Sequence, residues 1–212
     1  MAVSAALSTG ALLHCPALRD TQRARLLRLE RKAARQRVRG RPASNRLNRS
    51  YAAIAKLKAR EADIRKDWAE QASTSLARRF DVIRVEALQI RNMTRSARGT
   101  AGAPGKNVRQ KAGLNRGILA SGWGFLVQRL QDKAPGRVEK INPAYTSQRC
   151  SACGHIAAES RENQSRFRCV ACGYACNADV NAAINIAAGH AVTARGGGEL
   201  SRPANREPLV AA

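Results

Sequence analysis

Two cysteine pairs, Cys150-x2-Cys153 and Cys169-x2-Cys172, stand fifteen residues apart in "CSACGHIAAESRENQSRFRCVACGY". Four thiolates at that spacing are the signature of a tetrahedral structural zinc site. Each pair is followed by a glycine, Gly154 or Gly173, which lets the turn bring backbone amides toward the sulfurs. The segment between the pairs has too few apolar residues to fold unaided, so the metal must supply much of its stability. Two disulfides, or a redox CxxC, are the competing reading; a doubled CxxC in a chain without secretory features favours zinc. Cys15 and Cys176 fall outside the spacing: Cys15 reads as a small strand-end residue, and Cys176 as a thiol that four well-placed ligands leave unused. His155 and His190 read as surface residues.

Carboxylates are the second source of chemistry. Most of the 15 acids, such as Glu30, Glu61, Asp63, Asp67 and Glu70, sit in basic helical stretches as solvated partners. Glu86 differs, because "RFDVIRVEALQIRNM" surrounds it with Val82, Ile83, Val85, Leu88 and Ile90. An ionised carboxylate in an apolar setting is costly unless a cation or hydrogen-bond donor meets it. Asp179 differs too: it lies two residues past Asn177 at the start of the Ala-rich "NADVNAAINIAAG". A carboxylate there serves the helix dipole on its own, and that reading stays open. Taken together, the two also suit Mg2+, which takes oxygen ligands from a few carboxylates plus substrate phosphate. In two-metal phosphodiester hydrolysis, ions about 4 Å apart clamp the attacking and leaving oxygens.

The elements that must carry these groups follow from periodicity. Met1 to Ser8 and Ala11 to Cys15 flank Thr9-Gly10 and predict a β-hairpin. A helical pattern runs from Arg19 to about Arg39, "GRPASN" breaks it, and a second runs from about Arg46 to Arg79. Tyr51, Ile54, Leu57, Ile64 and Trp68 form the second helix's apolar stripe, and Tyr51, Trp68 and Trp123 are assigned to the core rather than to stacking platforms. The Glu86 strand comes next, then a basic Gly-rich loop at 93–113 and one amphipathic helix over "LNRGILASGWGFLVQRLQDKA". A strand at Arg137 to Ile141, the cysteine module at 146–176 and a short helix at 177–190 capped by Asn177 complete the order. Residues 191–212 lack an apolar period and read as a disordered tail. The sum is mixed α/β.

Charge bounds the partners. Lys and Arg number 38 against 15 acids, a formal net charge of +23, which points to a polyanion. Arg28, Arg31, Lys32 and Arg35 in the first helix, with Lys106, Arg109 and Lys111 in the loop, are the candidate phosphate contacts. No apolar run approaches the roughly 20 residues needed to cross a bilayer. The N-terminus has no basic n-region, so a cytoplasmic nucleic-acid-binding protein is expected.

Four stretches together resemble the OrfB/TnpB family, the transposon-encoded RNA-guided nucleases related to compact CRISPR effectors: "RFDVIRVEALQIRNM", "PGKNVRQKAGLNRGILASGWG", "VEKINPAYTSQRCSACGH" and "FRCVACGYACNADVNAAINIAAG". The resemblance runs from Met1 to about Gly189. It implies a RuvC-type, RNase H-like mixed sheet at 1–92 and 114–145, interrupted by a basic helical hairpin at about 19–79. A zinc ribbon with Cys150, Cys153, Cys169 and Cys172 as ligands would precede the last helix. Glu86 and Asp179 would match the second and third acids of the catalytic triad, with Mg2+ as cofactor and DNA and guide RNA as partners. The family's first acid, in a G-[IV]-D-x-G strand, has no counterpart here, since the first acid of any kind is Asp20. The expectations are therefore an N-terminally truncated, cleavage-deficient protein whose sheet lacks its first strand, with a separately encoded N-terminal part as one way to restore activity. A non-catalytic zinc-ribbon binding module and a decayed transposon fragment are the alternatives.

Overall fold

The computed structural model describes residues 3–189. His190 and the tail at 191–212 lie outside the described residues, so the readings made for them stay expectations. The described chain divides into two compact units, one built from 3–14 with 71–189 and the other from 15–70.

The second unit is a helical hairpin. Helix α1 covers Asp20–Gln36 and helix α2 covers Asn45–Arg79, whose last turns belong to the first unit. Ala33 of α1 and Leu47 and Leu57 of α2 are buried. The chain leaves α1 in extended conformation at Arg37, and Gly40 takes a φ of +77° that a side chain would disfavour. Ser44 then starts α2, its Oγ accepting the Leu47 amide at 3.3 Å. Ser50 Oγ donates to Gln36 Oε1 at 2.9 Å and Lys58 pairs with Glu30 at 3.0 Å, so the two helices run antiparallel. That ion pair is exposed on both sides and adds little stability. Tyr51, expected in the core, is 41% exposed, because the buried stripe of α2 passes through Leu47, Ser50 and Leu57 instead.

The first unit opens with strands β1 (Ala5–Ala6) and β2 (Leu12–Leu13), antiparallel, with Gly10 at φ +91° in the turn. Strand β3 (Ile83–Glu86) lies parallel to β4 (Val138–Ile141), Glu86 opposite Ile141. Parallel strands need a crossover, and helices α3 (Ile90–Met93), α4 (Val108–Ser121) and α5 (Trp123–Lys133) supply it. Strands β5 (Arg166–Arg168) and β6 (Ala175–Asn177) form the cysteine module's own antiparallel pair, and α6 (Ala178–Ala187) follows at once. Leu76, Phe80, Ile83, Leu126, Leu130 and Ile186 are buried in this unit. Arginines close two helix ends, where carbonyls lack intrahelical donors. Arg137 donates to the carbonyls of Phe80 and Ala77, at 2.9 and 3.1 Å, ending α2; Arg84 donates to Ala187 at 2.7 Å, ending α6, and pairs with Glu139 at 2.7 Å.

Three expectations change. The expected mixed sheet is, among the described residues, three separate two-stranded pieces, because no strand joins the β1–β2 hairpin to the β3–β4 pair. The expected single helix after the loop is two helices, broken at Gly122, which sits at φ +72° and cannot continue a right-handed turn there. The loop expected to reach Gly113 stops at Asn107, since Arg109, Gln110, Lys111 and Ala112 are good helix formers and outweigh the single Gly113. Lys111 Nζ and Asn115 Nδ2 of α4 donate to the carbonyls of Met93 and Thr94, at 2.6 and 2.8 Å, tying that helix back to the end of α3. Among the described residues, no helix is long and apolar enough to cross a membrane.

Candidate metal centres

The two cysteine knuckles repeat one backbone pattern. The Cys150 amide donates to His155 O at 2.8 Å and the Gly154 amide to Cys150 O at 2.9 Å; Cys169 to Tyr174 and Gly173 to Cys169 do the same at 2.8 and 3.0 Å. Gly154 and Gly173 sit at φ +78° and +74°, the conformation each turn requires. Cys150 and Cys169 are buried against the fully buried Phe167, and Cys153 and Cys172 face outward. The four sulfurs lie within 4.8 Å of one another, with Cys150–Cys172 at 3.7 Å and Cys153–Cys169 at 3.6 Å. A tetrahedron with Zn–S bonds of about 2.3 Å has edges of about 3.8 Å. A disulfide would need about 2.05 Å, so the arrangement could hold a metal ion and is not that of two disulfides. Its protonation agrees: backbone amides, first that of Cys172, lower the Cys169 thiol to about 6. Cys172 receives the Tyr174 amide, which lowers its pKa, yet the neighbouring thiols, Cys153 foremost, push it up to about 12. Four clustered thiols cannot all ionise without a cation, and this donor set fits Zn2+. Cys176 packs beside the cluster with Tyr174 and is not one of the four. Cys15 lies in the other unit, and His155 is exposed, as expected of a surface residue.

Glu86 ends β3, and Asp179 stands in the first turn of α6, where Asn177 Oδ1 accepts the Asp179 and Val180 amides at 2.9 and 3.2 Å. Both line one cavity of about 570 Å³. Its walls include Leu76, Phe80, Trp123, Leu126 and Leu130 together with Ala182, Ala183 and Ile186 of α6. The successive residues Val3 to Ser8 and Val82 to Glu86 also line it. Burial, then the neighbouring Asp179 charge, raises the Glu86 pKa above the ordinary carboxylate range, while Arg161 opposes the shift. Arg161 Nη2 stands 3.5 Å from Asp179 Oδ1. A part-buried Glu86 raised by the Asp179 charge, with one cation alongside, is a donor set that a divalent ion would satisfy.

Of the candidate phosphate contacts, Arg28, Arg31, Lys32 and Arg35 are exposed on α1, and their spacing puts them along one helix face. Lys106 and Arg109 are exposed, while Lys111 is tied to Met93 O. Sequence reasoning missed Arg161, whose approach to Asp179 depends on the folded cysteine module. It also missed Asn181 and Asn185, although two asparagines four apart in a helix that is otherwise apolar after its first turn were the available signal.

Comparison with known proteins adds a second line. A family profile described as "Cas12f1-like, TNB domain" matches residues 123–186. The chain is 45% identical over 170 residues to "Putative RNA-guided DNA endonuclease InsQ" of Escherichia coli (strain K12), covering 78% of this chain and 42% of that protein. It is 57% identical over 56 residues to "CRISPR-associated endodeoxyribonuclease Cas12f1" of Sulfoacidibacillus thermotolerans, covering 26% of this chain and 13% of that protein. Among solved structures it matches one chain of "Cryo-EM structure of the Cas12f1-sgRNA-target DNA complex", with a TM-score of 0.41, 22% identity and coverage of 76% of this chain and 41% of that one. The chain thus spans well under half the length of these relatives.

Proposed function

The chain belongs to the OrfB/TnpB family of RNA-guided nucleases, and on that premise we propose that it binds DNA and guide RNA and carries two carboxylates of a RuvC-type cation site. The observation that carries the reading is the meeting of Glu86 and Asp179 in one cavity, beside a knuckle pair whose sulfurs fit zinc. A divalent cation bound there would neutralise the pair and polarise a water or phosphate oxygen. Glu86 and Asp179 would hold it, and Arg161 would face the same charge. Phosphate contact falls to the exposed α1 stripe and to Lys106 and Arg109, reading backbone and shape rather than bases.

Among the described residues lining the cavity, Glu86 and Asp179 are the acids. Holding two ions in register takes more carboxylate than that, and we propose that these two acids without a further one do not support cleavage. An acid-bearing strand supplied by a separate polypeptide is how cleavage would be restored. The second reading, a binding module without catalysis, is favoured by the approach of Arg161 to Asp179, an ion pair that needs no further cation.

A cleavage assay separates them. The chain alone is expected to leave DNA intact in Mg2+, and the chain supplied with an acid-bearing N-terminal polypeptide to cut it, with cutting lost in Glu86→Ala. Mg2+-dependent cutting by the chain alone overturns the deficiency; no cutting in any combination leaves the binding-module reading. Nucleic-acid affinity is expected to fall steeply with salt, and Arg28→Gln with Arg35→Gln to flatten the log–log slope by about 2. A salt-independent affinity would remove the phosphate contacts from the account.

A further inference from the structure

We propose that Asn181 and Asn185 are positioning residues that make the placement of Asp179, and hence cation binding by the carboxylate pair, depend on metal occupancy of the four-thiolate site. The proposal rests on the reading of Glu86 and Asp179 as a cation site. Both asparagines are buried, at 0% and 1% exposure, on a helix that apart from Asp179 is otherwise built from Ala, Val and Ile. Buried carboxamides persist where their hydrogen bonds are met, and these are met by the first knuckle. Asn181 Nδ2 and Asn185 Nδ2 both donate to the carbonyl of Arg149, each at 2.7 Å, the residue before Cys150. Asn181 Oδ1 accepts the Ser151 amide at 2.9 Å, and Asn185 Nδ2 also reaches Thr146 O at 2.9 Å. The helix that carries Asp179 is thereby fastened to the backbone on both sides of a metal ligand.

The rest of the module reinforces the link. The Ala178 amide donates to Ser165 O at 3.0 Å, and the Ala178 side chain is buried with Cys150, Cys169 and Phe167. Asn177 is both the last residue of β6 and the cap of α6, and Arg161 reaches Asp179 from the segment between the knuckles. Phe167 is the large apolar residue of this small core, so the module depends on its metal for order. Without the metal, the Arg149 carbonyl and Ser151 amide lose their fixed positions, the two carboxamides lose their partners, and the first turn of α6 loosens. Coupling between two sites is reciprocal, so a cation at the carboxylates must also strengthen zinc retention.

The test uses the whole chain, with Mn2+ as the probe of the carboxylate pair and Co2+ in the thiolate site as a spectroscopic reporter. In the wild type, Mn2+ affinity is expected to fall at least about tenfold when zinc is removed by a chelator. In Asn181→Ala and Asn185→Ala, the tetrahedral thiolate–Co2+ spectrum is expected to persist while Mn2+ affinity drops toward the zinc-free value. That split would not follow from general destabilisation, which would alter the Co2+ spectrum as well. Wild-type affinity and zinc dependence in both variants would overturn the proposal. If the loaded wild type binds no Mn2+, the cation-site reading fails, and amide exchange at residues 178–182 decides the clamp. Exchange there at least about tenfold faster in the loaded variants than in the loaded wild type supports it, and equal protection overturns it.

Discussion

Cys169→Ser is expected to abolish tight binding of one zinc per chain and to unfold the module from Cys150 to Asn177 while leaving the α1–α2 hairpin helical. The size of the effect follows from what holds the module. Its regular structure is a pair of three-residue strands and one three-residue turn of helix, and its buried side chains are few. Such a segment cannot meet a conformational entropy cost of about 1–2 kcal/mol per residue from burial alone. Structural zinc sites supply apparent binding energies of about 10–16 kcal/mol, which in this setting is folding energy. Cys169 is the buried member whose thiol is already drawn down to about 6 by backbone amides, so its replacement removes the sulfur best prepared to bind as thiolate. Amide exchange separates the units: protection should vanish at the Cys150, Gly154, Cys169 and Gly173 amides and persist through α1. Cys176→Ser is the matched control and should keep one equivalent of zinc. Stoichiometric zinc in Cys169→Ser, or its loss in Cys176→Ser, would mean that the ligand set is a different one.

How far the sequence carried the fold depends on the range of the interactions concerned. The knuckles were legible because a metal site imposes its spacing locally, through CxxC and a glycine at positive φ. The Asn177 cap was legible for the same reason, a side chain satisfying amides two and three residues ahead. The break at Gly122 was not, because a glycine in a helical pattern is tolerated more often than it terminates, and here the decision falls to the turn that aims Trp123 Nε1 at Ser4 O, 2.7 Å away. The exposure of Tyr51 escaped because an amphipathic stripe fixes a helix face only to within a residue. The sheet was legible in part: the lack of a first strand was expected, but the separation into two-stranded pieces was not, because strand pairing is non-local. Arg161 and the two asparagines belong to the same class, since their partners are set by the folded module.

The second large effect concerns Glu86→Gln, which is expected to make the cation-free chain more stable at neutral pH and to remove its stabilisation by Mg2+. The sign follows from the direction of the Glu86 shift. Burial, and then the Asp179 charge, raise its folded pKa above the unfolded value, so the folded state holds the proton more tightly. Stability from this group is therefore full below the unfolded pKa, near 4.3, and is lost as pH rises through the folded value. Above that folded value the wild type carries an ionised, partly buried carboxylate beside a second one, and glutamine removes that charge at nearly the same volume. The gap between variant and wild type should close as pH falls below the unfolded value. Mg2+ reverses the order: a ligand at about 100 times its dissociation constant stabilises the folded state by about 2.7 kcal/mol. The wild type should gain that in thermal unfolding and the glutamine variant should not, with Asp179→Asn behaving alike. Equal Mg2+ stabilisation of wild type and both variants would place the ion elsewhere, and a glutamine variant less stable than wild type at pH 7 without Mg2+ would mean that Arg161 already offsets the pair. The outcome thus separates a carboxylate pair kept under strain for a cation from one that has become a structural ion pair.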